Sequence, residues 1–143
     1  MDRTANAAWS RRELGHILIV EDDAVLALGM EAALLDAGAS RVEICHTTEA
    51  ALAALRRGRP DALVLDIQLA DRDDGWALAE LVDSIGPKPP RIVFSTGAPE
   101  RIPPQVAGLG RVLTKPYDPA DLVHAIGARR PRGLLSRFKA LAR

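Results

Sequence analysis

Short apolar runs of strand length alternate along the chain with stretches in which apolar residues recur at helical spacing. Ile17 to Val20 is β-branched and apolar and stops abruptly at Glu21-Asp22-Asp23, which predicts a buried strand entering an acidic loop. From Ala24 to Ala37, Leu26, Met30 and Leu34 repeat every fourth residue and Gly38 follows, the pattern of an amphipathic helix with a glycine stop. The beat then repeats. Val42 to Cys45 predicts a second strand, Thr47 an N-cap, and the Ala- and Leu-rich run to Arg57 a second helix, stopped by Gly58. Ala62 to Leu65 is a third apolar run, ending at Asp66 and opening into the polar loop Asp71-Arg72-Asp73-Asp74-Gly75. Trp76 to Ile85 reads as helix, closed by Gly86-Pro87. Arg91 to Ser95 predicts a fourth strand ending in Thr96-Gly97. Pro99, Pro103 and Pro104 then remove backbone donors and restrict the residues before them, so a fourth helix should be short or irregular. Val112 to Thr114 predicts a fifth strand. After Lys115-Pro116, the run Asp118-Pro119-Ala120-Asp121 supplies a cap, a first-turn proline and an acid for a last helix to about Ala128.

Alternating strands and helices predict an α/β fold: a parallel five-stranded sheet with helices on both faces, because parallel neighbours need crossover helices that cover both sides. Ligands of such sheets sit at the carboxyl ends of the strands. The residues just past the strands are Glu21 and Asp22, Asp66, Thr96, and Lys115. Three carboxylates brought within about 5 Å repel by roughly 3 kcal/mol per pair at an effective dielectric near 20, so they call for a cation or a proton. Hard oxygen donors in that number suit magnesium, which keeps part of its water shell and shares a phosphate oxygen. Asp66 is then the candidate nucleophile toward phosphorus, Lys115 a cationic clamp and Thr96 a hydroxyl donor.

Composition narrows the setting. Nineteen Lys plus Arg balance nineteen Asp plus Glu, so no basic excess favours a nucleic-acid partner. The single cysteine, Cys45, has no internal disulfide partner. Met1 to Glu13 lacks the apolar core of a signal peptide, and no apolar run approaches a membrane span, which together point to the cytoplasm. The 143 residues suit one domain: an N-terminal extension at 1–15, a domain at 16–128 and a tail at 129–143. That tail carries Arg129, Arg130, Arg132, Arg137, Lys139 and Arg143 without an acid, while Leu134, Leu135, Phe138 and Leu141 recur at helical spacing. It reads as a solvated extension of the last helix, with contact to a partner or a membrane surface as the sharper alternative and membrane contact not expected. His16, His46 and His124 show no zinc-ligand spacing.

Four motifs carry a resemblance: Ile-Leu-Ile-Val-Glu-Asp-Asp at 17–23, Pro-Asp-Ala-Leu-Val-Leu-Asp at 60–66, Ser-Thr-Gly at 95–97 and Leu-Thr-Lys-Pro at 113–116. In this order and spacing they resemble the receiver domain of two-component response regulators, over about residues 16 to 128. The resemblance implies a flavodoxin-like fold with strand order 2-1-3-4-5. It also implies that Asp66 is the phosphoacceptor, that Glu21, Asp22, Asp66 and the backbone carbonyl of Gln68 hold Mg2+, and that a histidine kinase or phosphotransfer protein donates the phosphoryl group. A cis Lys115-Pro116 bond is a further implication. Receivers usually carry an aromatic switch residue three positions before the lysine, where this chain has Val112. Phe94-Ser95-Thr96-Gly97, with Gln-Leu after Ile67, is similar to the single-domain subclass named for Phe-Ala-Thr-Gly, which also lacks that ring.

The expected function is a single-domain response regulator whose output passes through contact with a downstream protein. Two alternatives stand beside it. A phosphorylation-independent binding module would normally have lost one of the acidic or lysine positions. An aspartyl-nucleophile phosphatase of the haloacid-dehalogenase kind wants Asp two residues after its nucleophile, where this chain has Gln68.

Overall fold

The structure, a computed structural model, describes residues 14–69 and 75–127. The extension up to residue 13, most of the polar loop at 70–74 and the basic tail lie outside the described residues.

Five strands, β1 (His16–Val20), β2 (Arg41–Cys45), β3 (Ala62–Leu65), β4 (Arg91–Thr96) and β5 (Arg111–Thr114), form one parallel sheet in the order β2-β1-β3-β4-β5. Between and after them run α1 (Ala24–Asp36), α2 (Thr48–Arg57), α3 (Trp76–Asp83), α4 (Pro104–Ala107) and α5 (Pro119–Gly127), with a 3-10 turn at Pro99–Arg101. This is the flavodoxin-like arrangement expected from the sequence.

Period-two alternation sorts the core onto the two faces of the sheet. Leu18, Val20, Leu63, Leu65, Ile92 and Phe94 pack with Ala51 and Ala54 of α2, Leu78, Ala79 and Val82 of α3, and Val106 of α4. Ile17, Ile19, Ala62, Val64 and Val93 pack with Met30 and Leu34 of α1 and with Leu122, Ala125 and Ile126 of α5. Phe94, with no exposed surface, is the largest fully buried side chain among the described residues. Truncating a buried Phe of this kind costs about 3 to 5 kcal/mol.

Local chemistry sets most helix ends where the sequence places them. Thr47 accepts the Ala50 N–H at 3.1 Å, and Asp118 accepts the Ala120 N–H at 2.8 Å. Gly38, at φ 104°, takes the left-handed conformation that ends α1. The proline-rich stretch yields the 3-10 turn and a four-residue α4, the short and irregular helix foreseen there. Several boundaries move by one or two residues. α3 ends at Asp83 rather than Ile85, because the Ser84 N–H bonds the Glu80 and Leu81 carbonyls while its hydroxyl closes on Leu81 at 2.7 Å. β5 begins at Arg111, one residue earlier than expected.

At the pole where the strands begin, Arg91 donates to the Ile126 carbonyl at 2.8 Å and to the Leu14 carbonyl at 3.0 Å. One guanidinium thus joins the end of α5 to the entry of β1.

Candidate functional site

Hydrogen bonding between neighbouring strands continues one step past the sheet and fixes the rim. β1 and β3 run in parallel register with Val20 beside Leu65. The Asp66 N–H then donates to the Val20 carbonyl at 3.0 Å, and the Glu21 N–H to the Cys45 carbonyl at 2.9 Å. The acids that follow two buried runs are therefore held side by side, at the point where the strand order reverses. On the other flank, the Lys115 N–H donates to the Thr96 carbonyl at 2.8 Å, which brings the lysine in from β5.

Three consecutive acids separate into two jobs. Asp23 caps α1, accepting the Leu26 N–H at 3.0 Å. Glu21 and Asp22 join Asp66 instead, and one carboxylate oxygen from each lies within 4.8 Å of the others. Glu21 and Asp66 are buried, at 1% and 4% exposure, whereas Asp22 is exposed. Lys115 reaches both buried acids, with Nζ 2.6 Å from Glu21 Oε1 and 3.1 Å from Asp66 Oδ2. The second oxygens also have partners: Glu21 Oε2 accepts the Asp23 N–H at 3.2 Å, and Asp66 Oδ1 accepts the Gln68 N–H at 2.9 Å.

One ammonium against three carboxylates leaves the rim negative. Burial pushes the Glu21 carboxyl up to about 7, with the neighbouring Asp66 charge adding to the effect and the Lys115 and Asp23 hydrogen bonds opposing it. Burial acts to lower the Lys115 ammonium, but its bonds to Glu21 and Asp66 outweigh that and hold it above its usual value. A half-open cluster of hard oxygens carrying excess negative charge fits a magnesium ion, with Glu21, Asp22 and Asp66 as its carboxylate donors.

Thr96 is fully buried at the end of β4, and its Oγ1 accepts the Ala98 N–H at 2.9 Å. That bond uses a lone pair and leaves the hydroxyl proton free to donate. From Gln68, it is the backbone N–H that reaches Asp66. Lys115-Pro116 is cis, as the resemblance implies.

Three contacts lay beyond sequence reasoning. Gly75 packs against the loop under Asp66 so closely that a Cβ there would lie 2.8 Å from the Asp66 carbonyl oxygen. The His46 ring sits with Nδ1 2.9 Å from the Glu21 carbonyl, and since a carbonyl only accepts, Nδ1 is the donor. Tyr117, with its hydroxyl 2.6 Å from Ser95 Oγ, is the aromatic side chain tied to β4; Val112, at the usual switch position, is 37% exposed on β5.

The sequence profile of the response regulator receiver domain matches residues 17–127, most of the chain and every rim residue. The chain belongs to the response regulator receiver family. It is 33% identical over 111 residues to the phyllosphere-induced regulator PhyR of Methylorubrum extorquens, covering 74% of this chain and 40% of that protein. It is 34% identical over 125 residues to the response regulator MprA of Mycobacterium avium, covering 86% and 52%. The chain thus spans about half or less of the length of these curated relatives. Among solved structures, the CheY-like receiver domain from Methylobacillus flagellatus superposes with a TM-score of 0.68 at 25% identity, over 79% of this chain and 98% of that one. SdrG from Sphingomonas melonis Fr1 gives 0.67 at 28% identity, over 80% and 94%. The family is a signalling one rather than a classical enzyme family; its members typically bind magnesium at an acidic pocket and interact with kinases or other proteins.

Proposed function

We propose that residues 16–128 act as a phosphorylation switch with Asp66 as phosphoacceptor. The observation that carries this reading is the buried Asp66 carboxylate, held between the Lys115 ammonium and the acidic cluster of Glu21 and Asp22. An unpaired buried carboxylate has no structural use to offset its desolvation cost, whereas one set beside a cation site and a lysine suits attack on phosphorus. In the transfer, an Asp66 carboxylate oxygen forms a P–O bond as the P–N bond of a donor phosphohistidine breaks. The electron pair stays on the imidazole nitrogen, which takes up a proton. Lys115 offsets the charge gathering on the phosphoryl oxygens, and the Thr96 hydroxyl supplies a donor to one of them. Magnesium, held by Glu21, Asp22, Asp66 and the Gln68 carbonyl, would neutralise that charge and orient the phosphoryl group.

The donor in this reading is a histidine kinase or phosphotransfer protein in the cytoplasm, and the output is contact with a downstream protein. Phe94-Ser95-Thr96-Gly97 and the missing switch ring at Val112 support a place in the Phe-Ala-Thr-Gly subclass. Acetyl phosphate with magnesium tests the core of the proposal: the native chain gains one phosphoryl group by intact mass, and Asp66→Asn gains none. Absence of labelling in the native chain overturns it in favour of a binding module. Rapid multiple turnover of small phosphates, beyond slow autodephosphorylation, overturns it in favour of a phosphatase.

A further inference from the structure

Lys115 lies on a connection between β5 and α5, and long ammonium side chains on such connections swing freely unless the backbone on both flanks is held. Two consecutive residues of β4 hold it here. Before the lysine side chain branches off, the Lys115 N–H is bonded to the Thr96 carbonyl at 2.8 Å. Two residues further on, the Tyr117 hydroxyl lies 2.6 Å from Ser95 Oγ. Ser95 is fully buried, pairs with Leu113 in the β4–β5 register, and neighbours Thr96. Successive strand residues face opposite sides of a sheet, so the Ser95 hydroxyl points away from the face that Thr96 takes. On the Ser95 side the Tyr117 ring packs partly buried against the cluster that includes Val93, Leu122 and Ile126. The ring and its hydroxyl therefore anchor the loop on the α1–α5 side of the sheet while the lysine works at its rim.

We propose that Tyr117, through its hydrogen bond to Ser95, is a positioning residue for Lys115. Resting on the phosphoacceptor reading, it assigns Tyr117 the task of fixing the ammonium at Glu21 and Asp66, so that Lys115 and Thr96 stay in one geometry when a phosphoryl group arrives. Tyr117 touches no reacting atom. A net hydrogen bond of ordinary strength, lost from a positioning strap, corresponds to about a fivefold change in rate.

The test uses the full chain, native and as Tyr117→Phe, Ser95→Ala and the double variant, each removing the bond while keeping the ring. Initial rates of Asp66 labelling by acetyl phosphate, magnesium affinity, and the nitrogen-15 NMR signal of the Lys115 ammonium are read for each. Each single variant should label about fivefold more slowly, with the double variant no slower than the singles, because both remove one bond. Magnesium affinity should hold while the Lys115 ammonium signal shifts or broadens. Rates close to native, effects that multiply in the double variant, or a parallel loss of magnesium affinity each overturn the assignment. If the native chain takes no label, the phosphoacceptor reading fails on its own. The ammonium signal then decides alone: a change in both single variants upholds the strap, and an unchanged signal overturns it.

Discussion

Burial holds the Glu21 carboxyl up to about 7, so the folded chain keeps a proton there over a pH range in which the unfolded chain has released it. Between the ordinary value of 4.5 and about 7 the native state binds more protons, and stability therefore falls as pH rises through that window. Relative to Glu21→Gln, which cannot ionise, the metal-free native chain should lose on the order of 3 kcal/mol across it, read by urea denaturation in chelator at a series of pH values. A flat difference would mean that Glu21 is solvated in the folded state. Magnesium must displace that proton, so its affinity should rise over the same range. The sequence made Glu21, Asp22, Asp66, Thr96 and Lys115 legible as a group, because each stands at or just past the end of an apolar strand. It left Asp23 out of that group without giving it a role of its own. Three adjacent carboxylates look alike until the backbone turns, and only then does Asp23 face the Leu26 N–H. Tyr117 was silent for a related reason: a lone aromatic after Lys115-Pro116 belongs to no periodic pattern.

At the scale of elements, strands buried on both faces were the easiest to read. β1 and β3 are continuous apolar runs because helices cover them on either side. β5 is an edge strand in which Arg111, Val112 and Thr114 are exposed, so the apolar pattern identifies its middle but misses its start. The β3–α3 connection hides its tightest constraint behind an ordinary backbone conformation. Gly75 sits with its N–H 3.2 Å from the Ile67 carbonyl, and its φ of −51° is open to any residue. What excludes a side chain is space, since a Cβ would press on the Asp66 carbonyl oxygen at 2.8 Å and on Ile67 at 3.1 Å. Gly75→Ala should cost about 1 to 3 kcal/mol in stability, as overpacking does, and should slow Asp66 labelling by shifting the loop that carries the carboxylate. Urea midpoints and acetyl phosphate labelling check the two parts. An alanine variant with native stability would show that the loop gives way freely.

Across the whole molecule the two poles of the sheet carry different work. The strand ends gather carboxylates and tolerate an electrostatic imbalance, whereas the strand beginnings are knitted by Asp61 and Arg91. The Asp61 N–H bonds the His16 carbonyl at 2.8 Å, the Asp61 side chain accepts the His16 N–H at 2.8 Å, and the Arg91 N–H bonds the Asp61 carbonyl at 3.0 Å. Arg91→Met keeps the bulk and deletes the two guanidinium contacts to Leu14 and Ile126. It should lower stability by about 2 to 4 kcal/mol, since hydrogen bonds from charged donors exceed neutral ones, and should leave the rate of Asp66 labelling unchanged. A rate change would reveal coupling between the poles. Because Arg91 clasps residue 14 and the end of α5 together, force applied between those two points loads that guanidinium and the core cluster that Leu14 and Ile126 share. The carboxylate rim, at the far pole, lies off that line of tension, so surface immobilisation or a pulling handle attached at either point leaves the pocket around Asp66 unloaded.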